Sequence, residues 1–134
     1  MKIKRIGPPR KFTVGFKEHQ VTLKDCAHIQ LRADEQVTFL TEAGGEYDVA
    51  RKAWGFYATP SINSRLLRCG LKTALVRNRL GHLFVVLVKK GKEKLFQKYV
   101  KQEHLDVAWL NSSKNLKKIA KHLYAHKRSK KTKK

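Results

Sequence analysis

Thr59, Ser61, Arg65 and Arg68 set two hydroxyls and two guanidiniums along one short stretch, with Arg51, Lys52, Trp54 and Tyr57 just ahead of them. Guanidiniums and hydroxyls hold phosphate or carboxylate oxygens through charge-assisted hydrogen bonds. Aromatic rings interleaved with bases can stack nucleobases while the charges hold phosphates. The chemistry of this cluster is therefore anion binding, and with the aromatics included, nucleic-acid binding. A plainer reading competes. Trp54 and Phe56 alternate, so both could face a core, and Thr59-Pro60-Ser61 could be an ordinary helix start.

The element expected to position these groups is a helix over 60–69. Thr59 reads as its N-cap, Pro60 suits the first helical position, and Gly70 supplies the stop. Ile62, Leu66 and Cys69 then form a buried stripe, with Ser61, Arg65 and Arg68 on the neighbouring face. Free N–H groups and the positive end of the helix dipole would complete an anion cradle. Trp54–Ala58 reads as a strand leading in, where Gly55 permits a close approach.

Other candidate chemistry is sparser. Glu46 and Asp48 point the same way on a strand, about 7 Å apart along it, and paired carboxylates can divide acid and base roles. Solvent-facing charges beside an inward Tyr47 and Val49, pairing with Arg51 or Lys52, explain the pattern equally well. His122 and His126 stand at i, i+4, but on a basic helix end without a third ligand nearby in sequence. Gly44-Gly45 reads as a turn and not a phosphate loop. No catalytic residue, metal or cofactor is expected, and the balance leans against an enzyme. Cys26 and Cys69 read as free, buried thiols of a reducing compartment, a bridge between them being the other option. The basic N-terminus lacks the apolar segment of a secretory signal, and no run approaches a membrane span.

Charge is the strongest global signal. The 134 residues carry 31 Lys and Arg against 10 Asp and Glu, a net charge of +21. The surplus is unevenly spread. Six bases and no acid lie in Met1–Lys17, seven acids and two bases in Glu18–Asp48, thirteen bases and one acid in Val49–Gln102, and ten bases and no acid in Asn111–Lys134. Internal pairing can neutralise only a minority of them, so the remainder favours a polyanionic partner.

Along the chain, short alternating runs suggest strands at Phe12–Phe16, Val21–Lys24, His28–Arg32, Gln36–Thr41, Glu46–Ala50 and Trp54–Ala58. Beyond the 60–69 helix come strands at Thr73–Arg77 and Leu83–Val88, the second apolar throughout and read as a central strand buried on both faces. A helix over Lys92–Glu103 turns Leu95, Phe96, Tyr99 and Val100 inward, and a strand at Leu105–Leu110 follows, a spacing that can make a parallel crossover. The last helix, Lys114–Ala125, carries Leu116, Ile119, Ala120 and Leu123 on one face and Lys114, Lys117, Lys118 and Lys121 on another.

The expected fold class is α+β. An antiparallel, strand-rich N-terminal part, a meander or small barrel, precedes a β-β-α-β unit and a basic amphipathic C-terminal helix. The expected organisation is a basic N-terminal arm at 1–11, a single domain at 12–125 and a Lys-rich tail at 126–134, the tail disordered in isolation. The leading function is binding of nucleic acid, RNA or a ribonucleoprotein before DNA, mainly through backbone phosphates, since no base-reading motif is visible. Its site residues are Arg51, Lys52, Trp54, Tyr57, Thr59, Ser61, Arg65, Arg68, Lys114, Lys117, Lys118 and Lys121. The alternative is a small enzyme or binding domain for a phosphorylated metabolite that uses the 46–65 cluster. A helix lying on anionic membrane or on a partner protein ranks third. The expected location is cytoplasmic, or nuclear in a eukaryote, with no integral membrane association.

Overall fold

Alternation of residue type builds the first element. Lys2–Val14 (β1) and Val21–Gln30 (β2) pair antiparallel across a single 3-10 turn, Lys17–His19, in a computed structural model that describes residues 1–15 and 17–132, with Lys17 and residues from His126 onward described as backbone only. The expected arm at 1–11 is thus extended but paired. The two strands expected at Val21–Lys24 and His28–Arg32 are one. Phe16, expected to end the first strand, lies outside the described residues. Register shifts between Arg5 and Arg10, where Gly7–Pro8 is cis. Direct partners point to the same face of a ladder. Phe12 with Leu23, Val14 with Val21 and Ile3 with Ile29 therefore line one face, interrupted by Arg10 with Asp25 and Arg5 with Ala27, and Lys11 with Lys24 and Lys4 with His28 form a basic one. All six of those apolar side chains stay substantially exposed.

The second sheet is a meander of Gln36–Leu40 (β3), Glu46–Lys52 (β4) and Gly55–Ala58 (β5). Thr41 closes the first turn: its N–H donates to the Gly45 carbonyl at 2.8 Å, and its Oγ1 accepts from the Gly45 N–H at 2.8 Å. Gly44 takes the positive φ of 85° that this turn requires. Ala53-Trp54 forms the second turn, with Lys52 paired to Gly55. The burial along β4 reverses the expectation. Asp48 and Ala50 are buried, while Tyr47 and Val49 are half-buried.

The third sheet has the order β7-β6-β8, from Leu83–Lys89, Leu71–Arg77 and Asp106–Trp109. Leu83–Lys89 is therefore an edge strand and not the central one, and its Leu83, Phe84 and Val85 are exposed. The central strand is β6, with Leu71, Thr73, Ala74 and Val76 buried. Six apolar residues in a row can belong to an edge whose outer face lacks a cover, because composition does not report neighbours. Both outer strands run antiparallel to β6, so β7 and β8 are parallel to each other across it. Glu93–Glu103 (α2) makes the crossover between them.

The helices depart from their expected bounds for local reasons. The expected 60–69 helix shrinks to Arg65–Arg68 (α1), because Thr59 and Ser61 engage in other bonds described below. In α2, Phe96 and Val100 are half-buried and Phe96 meets the Trp109 ring edge-on at 5.5 Å, but Leu95 and Tyr99 are exposed. His104 ends α2 in the left-handed conformation, and the Leu105 N–H returns to the Val100 carbonyl at 3.0 Å. Ser113–Thr132 (α3) is capped by Ser112, whose Oγ accepts from the Asn115 N–H at 3.2 Å. Its Leu116 and Ile119 are half-buried, but Leu123 and Tyr124 are exposed. The α3 backbone runs into the expected tail as far as Thr132; Lys133, Lys134 and the tail's side chains lie outside the described residues.

Among the described residues the buried apolar core is small: Ala50, Leu66, Leu71, Ala74, Val76 and Val88. Leu66, 1% exposed, is the more enclosed of its two leucines, and burying a leucine stabilises by roughly 2 kcal/mol. The chain exposes 10841 Å², whereas a compact monomer of this mass exposes roughly 7,200 Å². No helix among the described residues is long and apolar enough to cross a membrane.

Candidate nucleic-acid interface

The residues singled out by sequence separate into three groups. The first is a closed knot around Asp48, which is 4% exposed. Thr38 Oγ1 donates to Asp48 Oδ1 at 2.6 Å, and Arg65 Nη1 donates to Oδ2 at 2.7 Å. Arg65 Nη2 donates to Thr59 Oγ1 at 3.0 Å, and the Thr59 N–H donates to the Asp48 carbonyl at 3.0 Å. The Thr38 hydroxyl, and after it the Arg65 guanidinium, hold the Asp48 carboxyl below its ordinary value, while the carboxylate raises Arg65 further. The Ser61 hydroxyl accepts from the Arg65 N–H at 3.2 Å. Thr59 is therefore not the N-cap that its position suggested: its hydroxyl faces the guanidinium. Of the groups expected to cradle an anion, Thr59 and Arg65 hold each other and Asp48, and the Ser61 hydroxyl is taken by the Arg65 backbone N–H. Asp48, expected to face solvent and to pair with Arg51 or Lys52, faces inward to Arg65.

The second group is the tip of the β4–β5 hairpin. Trp54 is 71% exposed, Phe56 63% and Tyr57 45%, so the core reading of Trp54 and Phe56 is corrected. A two-residue turn at the end of an uncovered hairpin leaves these rings only their neighbours within the hairpin to pack on. The Trp54 and Tyr57 rings stack with centroids 6.0 Å apart and planes 27° from parallel. The Arg51 guanidinium lies 5.3 Å from the Phe56 ring centre, and its Nη1 donates to the Gly55 carbonyl at 3.3 Å. Lys52 pairs with Asp34, whose carboxylate raises the lysine above its ordinary value. The tip thus presents three rings flanked by two positioned cations. Phe56 belongs to it, and its cross-strand pairing with Arg51 was the missed feature.

The third group is uncommitted positive charge. Arg68, Lys114, Lys117, Lys118 and Lys121 are exposed and make no ion pair among the described residues. The basic face of the β1–β2 hairpin joins them. Lys11 and Lys24 are direct cross-strand partners, an arrangement of like charges that destabilises a ladder on its own. Sequence signalled this face through the alternation of Thr22, Lys24, Cys26 and His28 against Val21, Leu23 and Ile29. The signal went unread because the pairing of 1–11 was not foreseen. Both cysteines are free, as expected, but Cys26 is exposed and Cys69 half-buried, so neither is the buried thiol expected. Among the described residues, no three His, Cys, Asp or Glu converge as metal ligands.

The chain matches no protein-family model, no curated protein and no solved structure.

Proposed function

We propose that the protein binds nucleic acid, RNA in preference to DNA, gripping backbone phosphates with lysines and arginines and stacking bases at the β4–β5 tip. The observation that carries this reading is the exposure of Trp54 and Tyr57 beside Arg51 and Lys52. Large aromatic surface left in water at a hairpin tip finds its use in stacking, and every base offers a face to stack on. Unpaired bases are more available in RNA, where single strands and loops are the usual targets. The like-charged Lys11–Lys24 pair and the α3 lysines give the same reading electrostatic support, because a polyanion would relieve their mutual repulsion.

The test is a fluorescence titration of the full chain with a single-stranded RNA oligonucleotide at salt concentrations between 50 and 200 mM (roughly the range over which counterion release is usually read). Trp54 emission should quench on binding, and the logarithm of affinity should fall linearly with that of salt, by about 0.7 for each phosphate engaged. A flat salt response, or no binding at the lowest salt, would remove the proposal.

A further inference from the structure

The register of β1–β2 sets Lys2, Lys4 and Lys11 opposite Gln30, His28 and Lys24 on one face of the ribbon, with Thr13 against Thr22 beyond them. All of these side chains are exposed. His28 Nε2 lies 2.9 Å from Asp25 Oδ2, and so has a partner at the ribbon's edge. Lys2, Lys4, Lys11 and Lys24 make no ion pair among the described residues. No Phe, Tyr or Trp among the described residues stands on this face, since Phe12 belongs to the other one. At the open end of the ribbon, Lys2, Lys4, His28 and Gln30 line an open groove of about 350 Å³ together with Ile3 and Ile29. From Thr22 to Gln30 the face runs about 26 Å at the usual strand rise.

We infer, resting on the nucleic-acid reading above, that this face grips the backbone of a double-stranded RNA stem while the β4–β5 tip takes unpaired bases beside it. The partner is then an RNA in which a stem adjoins a single strand. The two hairpins carry different chemistry. Single strands are held on rings that lie under their bases, and the ribbon face has no such ring to offer. A duplex hides the faces of its bases and presents phosphates and 2′-hydroxyls. Ammonium, hydroxyl and amide groups hold those oxygens without any ring. The reach also fits, because a duplex carries one charge about every 1.7 Å of its axis, so each lysine along the face meets a phosphate. Lys11 opposite Lys24 destabilises the ladder on its own, and a phosphate between them relieves that repulsion. A two-stranded ribbon also fits the major groove of B-DNA. The RNA stem is favoured because RNA supplies, next to its stems, the loops and single strands that the tip requires.

Anisotropy of end-labelled RNA tests the assignment on the full chain, with a single strand, a blunt duplex and the same duplex carrying a single-stranded overhang. The overhang RNA should bind about tenfold tighter, or more, than either simpler RNA, because the second contact becomes intramolecular. Lys4→Gln combined with Lys11→Gln and Lys24→Gln should weaken duplex binding by about tenfold or more. It should also lower the salt slope for the duplex by up to about 0.9 for each phosphate released, and leave single-strand binding unchanged. Trp54→Ala should do the reverse. Because Lys11 and Lys24 repel each other, the triple variant should melt no lower than the parent. Single-strand binding without duplex binding overturns the inference and leaves the proposed function standing. So does a triple variant that holds the duplex undiminished or loses both RNAs alike. A DNA duplex preferred to the RNA duplex overturns the inference as well. No binding of any RNA at the lowest salt removes both readings. If the triple variant fails to fold, the order of the three RNAs on the unaltered chain still decides.

Discussion

Arg65 Nη1 lies 2.7 Å from Asp48 Oδ2, joining the start of α1 to the middle of β4 across seventeen positions of sequence. The carboxylate is nearly enclosed, while the guanidinium side chain is 40% exposed. The pair, together with Thr38 and Thr59, ties the meander to the segment that leads into the third sheet. Arg65→Met should leave the buried carboxylate one donor short and destabilise the fold by about 1–3 kcal/mol. Solvent reaching the arginine keeps the effect below that of a fully buried pair. Urea unfolding followed by circular dichroism measures it. Loss of RNA affinity without loss of stability would show instead that Arg65 is a ligand group.

The same pair sets a pH dependence. A carboxyl held below its ordinary value in the fold contributes stability above its unfolded value and loses that contribution as pH falls through the folded one. Asp48 is so held, starting from 3.8. Glu35, held by the Arg32 N–H, and Glu93, held by its own N–H and that of Gly91, act in the same direction. The melting temperature should therefore decline as pH drops below about 4. In Asp48→Asn the decline should be shallower from a lower starting point, and thermal scans between neutral and acidic buffer would show it.

Trp54→Ala and Tyr57→Ala should each weaken single-stranded RNA binding by about 1–3 kcal/mol, the worth of a stacked base. Their exposure predicts little change in melting temperature. Lys117→Gln with Lys118→Gln should instead lower the steepness of the salt dependence by up to about 0.7 for each phosphate no longer neutralised. Parallel titrations read by the fluorescence anisotropy of a labelled RNA, which does not depend on Trp54, separate the two effects. Equal binding by the Trp54→Ala protein would restrict the interaction to charge alone.

Thr73 Oγ1 is buried without a hydrogen-bond partner among the described residues. Replacing it by an apolar group of the same shape removes an unsatisfied hydroxyl at no cost in volume. Thr73→Val should stabilise the protein by up to about 1 kcal/mol, read as a higher urea midpoint with unchanged slope.

Gly45 is required for space. A Cβ there would stand 2.7 Å from Thr41 Oγ1 and 3.2 Å from the Cys69 carbonyl oxygen. The Thr41 side chain could turn away only by giving up its bond to the Gly45 N–H. Gly45→Ala should lower the melting temperature, whereas Gly44→Ala, with nothing within 4 Å, should be penalised only through its positive φ of 85°.

Most strands and the two longer helices were legible because alternation and helical spacing are local properties. Gln36–Leu40, Glu46–Lys52 and Glu93–Glu103 lie close to where their patterns placed them. What escaped was pairing and cover. Nothing local reveals that β2 recruits 1–11 as a strand, or that β7 takes an edge while β6 takes the centre. Thr59 shows the same limit at the candidate site. Its residue type suits a cap, but the guanidinium six residues later is a stronger partner for its oxygen. Trp54 and Phe56 alternate as core residues do, and alternation does not say whether anything lies opposite.

The amphipathic β1–β2 ribbon has a practical corollary for anyone handling the protein. Two molecules that bring the partly apolar sides of this ribbon together must also bring together their surplus positive charge, which repels. Brine strong enough to strip bound polyanion shortens the reach of that repulsion to about 3 Å at 1 M. Solutions of the purified chain should accordingly stay clear at low ionic strength and turn cloudy as sodium chloride is raised, a trend that static light scattering would follow directly.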